Sequence, residues 1–66
     1  MKFQRFGNAF VASVDDTLYV VSLYLGSWAA YYRSPEMVEP ERVGLYGHGT
    51  HIEAQQACEA HQRGGK

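Results

Sequence analysis

Three histidines and the only cysteine of the chain fall close together, as His48-x-x-His51 and Cys58-x-x-His61. Imidazole and thiolate at a spacing of three are ligand pairs of tetrahedral zinc sites, and a Cys near a His is the start of a nucleophile–base pair. The local order of residues argues against both. A helix beginning near His51 rises about 1.5 Å per residue, which puts Cys58 roughly 10 Å further along it. Four ligands on such a frame do not converge on one ion. Cys58 also lies in mid-helix, away from the N-terminal end that stabilises a thiolate, and no third group orients His61. The turn Gly47-His48-Gly49-Thr50 offers backbone N–H groups to an anion, an ordinary property of a glycine turn before a helix. The expectation is that Cys58 and His61 fill a helix–sheet interface, with no metal, no cofactor and no catalysis.

The elements that position these residues are legible from pattern. Thr50-His51-Ile52-Glu53 has the form of a capping box. The threonine hydroxyl accepts a free N–H of the first turn, and the Glu53 carboxylate reaches back to Thr50. The helix is predicted over about 51–62, stopping at Gly64-Gly65, with Ala54, Ala57, Cys58 and His61 as its inward stripe. Upstream, alternating and β-branched runs predict strands at about 2–14, 17–25, 28–33 and 42–46. Asp15-Asp16 and Gly26-Ser27 read as hairpin turns between them, and 34–41 as a loop with two prolines and three glutamates. With Gly26-Ser27 as the two central turn residues, Leu25 faces Trp28, Leu23 faces Ala30 and Val21 faces Tyr32. These share a face with Tyr19, and Val43 and Leu45 join them under the helix. The opposite face carries Leu18, Val20, Tyr24, Tyr31, Arg33 and Arg42. The predicted class is α+β: an antiparallel sheet of three to four strands with one C-terminal helix packed on one face, as a single domain over 1–66.

Composition bounds what such a domain does. At 66 residues it buries only about 60% of the surface its unfolded chain exposes, so its core is thin. It is 45% hydrophobic and 20% charged, with a net charge of −1, whereas a non-specific nucleic-acid binder is usually clearly basic. One cysteine makes no internal disulfide, and the N-terminus lacks the apolar region of a signal peptide. The most apolar run, 18–25, is interrupted by Ser22 and is too short to cross a bilayer. A cytoplasmic protein without a membrane partner is expected, as a monomer or weak dimer.

Topology adds a charge feature that no motif marks. In an antiparallel meander the hairpin tip at Asp15 and Asp16 and the loop after Arg33 lie at the same end of the sheet. That end therefore gathers Asp15, Asp16, Glu36, Glu39 and Glu41, with Arg33 and Arg42 as the nearest strand cations. Tyr24 and Tyr31 on the open face, with Met37 and Val38 in the loop, are candidate contact anchors beside it.

Two resemblances bear on function. From Ser27 onward, "SWAAYYRSP…RVGLYGHGTHIEAQQAC" resembles the DNA-binding domain of plant ethylene-response factors and the arm-binding domain of tyrosine recombinases. That resemblance implies a small sheet backed by a helix, with Arg33 and Arg42 at two of the DNA-contacting positions. Tyr31 stands where the family has a glutamate and Gly44 where it has a DNA-contacting tryptophan. The strand over 17–25, which in the family supplies further arginines, has none. In size and charge style the chain is similar to small phage and mobile-element proteins, anti-CRISPR proteins in particular, several of which present carboxylates where phosphates would lie. This implies a non-enzymatic inhibitor whose partner is a host protein complex with a basic nucleic-acid-binding groove, such as a CRISPR effector. The competing class is a small DNA-binding module using Arg33 and Arg42 on the open sheet face, but two arginines do not give the density of phosphate and base contacts that specific binding needs, so direct DNA binding is not expected.

Overall fold

The computed structural model describes residues 1–44 and 47–64. Five strands lie in chain order: β1 (Gln4–Phe6), β2 (Ala9–Val14), β3 (Thr17–Tyr24), β4 (Ser27–Arg33) and β5 (Glu41–Arg42), followed by helix α1 (His51–Gln62). All pairings are antiparallel, so the sheet is a simple meander. The α+β class and the C-terminal helix follow the sequence pattern, but the sheet has five strands where three to four were expected.

The extra strand comes from a missed hairpin. The stretch read as one strand over 2–14 breaks at Gly7-Asn8, where Gly7 takes φ 62° and Phe6 pairs with Ala9. A Gly-Asn dipeptide between alternating residues is a hairpin signal in its own right. The fourth predicted strand also shifts: β5 is Glu41–Arg42, with Val43 and Gly44 beyond it, and Leu45 lies outside the described residues.

The β3–β4 turn differs from the expectation by one residue. Its central pair is Leu25-Gly26, at φ 51° and 79°, and Tyr24 pairs with Ser27. Leu23 therefore faces Trp28, Val21 faces Ala30 and Tyr19 faces Tyr32. Partners move by two positions, and because side chains alternate with a period of two, the residues that stay in the strands keep their expected faces. Leu25, expected opposite Trp28 under the helix, is instead in the turn and 86% exposed. Right-handed strand twist favours two-residue turns with positive φ at both positions, which Asp15 (51°) and Asp16 (66°) also adopt.

The buried cluster lies between sheet and helix and contains Tyr19, Val21, Ala30, Val43, Ala54 and Cys58. Small side chains on both surfaces, Ala30 below and Ala54 and Cys58 above, let the helix approach closely. Its first turn rests on Trp28 through His51 and its last on Tyr32 through His61, so α1 runs along β4. The N-cap is Thr50, whose hydroxyl accepts from Glu53 N at 3.2 Å. The reciprocal half of the box is shifted by one residue: the Glu53 carboxylate accepts from Gly49 N at 3.3 Å, not from Thr50.

Gly47 allows the chain to return to the sheet. A Cβ there would lie 2.8 Å from Ser27 Cβ, and the contact matters because His48 exchanges both backbone hydrogen bonds with Trp28, each at 2.8 Å. That bridge delivers the chain to the N-cap two residues later.

Candidate functional site

His51, His61 and Cys58 serve the interface. His51 stacks on Phe10 with ring centroids 4.6 Å apart and meets Trp28 edge-on at 5.5 Å. His61 Nδ1 is 3.0 Å from the Tyr19 hydroxyl, and its ring lies 4.3 Å from that of Tyr32. Cys58 is fully buried. Burial, with a smaller contribution from Glu59, pushes its thiol up to about 11, so it is protonated at neutral pH and poorly suited to attack. Burial also raises the Tyr19 phenol, with Cys58 and Tyr32 adding to it. Among the described residues no three His, Cys, Asp or Glu side chains group into a metal cage.

The acidic residues sit where the meander puts them. Asp15 and Asp16 form the exposed β2–β3 tip. Asp16, Leu18, Arg33, Ser34 and Pro35 line one shallow recess of about 340 Å³, which places the tip beside the start of the 34–40 loop. The loop folds back on itself: Met37 N donates to Ser34 O at 3.0 Å, and Arg33 Nε donates to Met37 O at 3.2 Å. Within the rim, Glu36 accepts from the Ser34 hydroxyl at 3.1 Å and Glu41 from the Tyr32 hydroxyl at 3.4 Å. Glu39 is exposed. Because Glu41 pairs with Tyr32, it stands on the helix side of the sheet, so the carboxylates wrap the end of the molecule and do not line up on one face.

The aromatic anchors are not all brought to this rim. Tyr24 is 69% exposed but lies at the far end of β3, beside the β3–β4 turn. Tyr31 is half-buried in the middle of the open face, between Val20 and Arg42, with the Arg42 guanidinium 6.0 Å from its ring centroid. Of the loop pair, Val38 is exposed, while Met37 is half-buried with its sulfur 3.3 Å from Ser34 N.

The open face holds two residues that the sequence pattern did not single out. Lys2 and Phe6 line a second recess of about 380 Å³ with Gln4, Val11 and Ser13. The Gly7-Asn8 turn is the signal that would have found them, since it lays β1 beside β2 and adds its side chains to that surface. A third depression of about 300 Å³ lies between Val20, Tyr31 and Pro40. No protein-family model, curated protein or solved structure matches the chain.

Proposed function

We propose that the chain is a non-enzymatic binding domain whose acidic rim docks on the basic, nucleic-acid-binding groove of a partner protein and excludes the nucleic acid. The supporting observation is the common recess of Asp16 with Ser34 and Pro35, which joins the hairpin tip to the glutamate-bearing loop. Two of the loop-side carboxylates, Glu36 and Glu41, accept hydrogen bonds from the hydroxyl groups of Ser34 and Tyr32 and are exposed to an outside cation. Such a rim attracts lysines and arginines over several ångströms, speeds encounter and sets orientation. Exposed Val38 adds apolar contact beside the charges.

A CRISPR effector is a partner of the required kind, because its duplex channel is lined with cations that read phosphates. Cleavage by such an effector, titrated with the purified protein, is the direct test. Inhibition at stoichiometric protein, lost in the folded triple variant Glu36→Lys, Glu39→Lys, Glu41→Lys, is the expected result. Equal inhibition by wild type and triple variant would remove the rim from the mechanism.

A further inference from the structure

The face of the sheet opposite the helix has a charge and shape of its own. Three surface recesses open on it: one holds Lys2, another holds Arg33 with Asp16, and Arg42 stands over Tyr31 beside the third. One acidic side chain borders this face, Asp16 in the recess of Arg33; the others lie at Asp15 on the β2–β3 tip, in the 34–40 loop, on the helix, and at Glu41 on the helix side. A chain of net charge −1 thus keeps one face on which the strands and the N-terminal arm carry only cations. Lys2 stands on the β1 side and Arg33 and Arg42 on the β4–β5 side, so the cations flank a neutral middle.

That middle suits flat rings. Its floor across β2 and β3 is Ala9 and Ser22, side chains too short to obstruct a ligand lying on the sheet, with the buried Ala29 next to them on β4. Above this floor stand Phe6 and Tyr24, 61% and 69% exposed. They lie two strands apart and two residues apart along the strand direction, roughly 12 Å at about 4.8 Å per strand and about 3.4 Å per residue.

We infer that the open face binds single-stranded nucleic acid, with bases stacking on Phe6 and Tyr24 and phosphates held by Lys2, Arg33 and Arg42. Charge complementarity selects a polyanion, and the exposed rings select one with unpaired bases, because an acidic peptide has no flat group to place on each ring. A duplex fits less well. Its bases are stacked on one another, and the short floor residues do not reach into a groove.

Fluorescence anisotropy with labelled oligo-dT and oligo-U of about 12 nucleotides tests the surface directly. A duplex of the same length and a polyglutamate peptide serve as comparisons. The single strands are expected to bind most tightly. Three phosphate contacts at about 0.7 each give a salt slope near −2, so affinity falls about 20-fold between about 50 and about 200 mM salt. Tyr24→Ala, at an exposed position that leaves the core intact, weakens binding about five-fold or more. The pair Lys2→Gln, Arg42→Gln weakens it and flattens the salt slope. The triple lysine variant of the rim does not weaken it, which separates this surface from the acidic one. No binding to either single strand, or equal binding of duplex or polyglutamate, would overturn the inference. So would affinity unmoved by Tyr24→Ala in a variant with an unchanged melting curve.

Discussion

The Tyr19 hydroxyl meets Nδ1 of His61 at 3.0 Å and ties the middle strand to the last turn of the helix, 42 positions along the chain. Tyr19 is 3% exposed as a residue, and its bond to His61 is partly buried. Tyr19→Phe should cost about 1 kcal/mol, read as a fall of about 4–8 °C in melting temperature for a domain of this size. A double-mutant cycle with His61→Ala should return a coupling of the same order. Strictly additive losses would mean that the pair contributes nothing as a pair.

Leu25 sits at φ 51° with 86% of its surface exposed. A branched side chain in the left-handed region costs about 1–2 kcal/mol, and so exposed a leucine offsets little of it by burial. Leu25→Asn creates an Asn-Gly turn, the preferred sequence for this geometry, and should raise stability by about 0.5–1 kcal/mol in urea denaturation. A destabilised variant would show that Leu25 makes contacts the fold depends on.

Cys58 links stability to alkaline pH. Its thiol is raised from 9.0 to about 11 in the folded chain, so the native state holds a proton that the unfolded chain has released between those values. Stability is therefore intact below about pH 9 and declines as pH rises towards 11. At about 1.4 kcal/mol per pH unit the loss is bounded at about 3 kcal/mol. In Cys58→Ala the decline should shrink to the part due to Tyr19, whose raised phenol acts in the same sense at higher pH. Denaturation midpoints from pH 8 to 11 for both proteins measure it, and parallel curves would contradict the assignment.

Gly47→Ala forces a Cβ to within 2.8 Å of Ser27 Cβ and should cost about 1–3 kcal/mol through overpacking beside the Trp28–His48 bridge. Ser27→Gly removes the opposing atoms, so the double variant should recover most of that loss. A double variant no more stable than Gly47→Ala would place the strain elsewhere.

The fold is most legible in the sequence where a pattern has a local physical cause. The helix limits and the Thr50 cap could be read because a hydroxyl three residues before a glutamate satisfies free N–H groups in one characteristic way. Face assignment of the paired strand residues survived a misplaced turn because a shift of two positions preserves parity, while Leu25, expected under the helix, was lost to the turn. The Gly7-Asn8 hairpin was hidden inside a run that alternates as one strand would, and with it went Lys2 and Phe6. The joining of Asp16 to the 34–40 loop could be derived from meander topology alone. The direction in which Glu41 faces could not, since it depends on the exact pairing with Tyr32. The separation of Tyr24 from the acidic end was already implied by its distance along the strand from Asp16.

Because the strands are arranged in the order in which they are made, the sheet closes only short loops as it forms. Hairpins of this length assemble within microseconds, and the chain need not search for a distant partner until the helix arrives. The slow event in folding should then be the settling of α1 onto β3 and β4, where contacts as far apart as Tyr19 and His61 are made. Substitutions at Ala54 or Cys58 should accordingly slow folding more than those at the hairpin tips, which would mainly hasten unfolding or leave both rates unchanged.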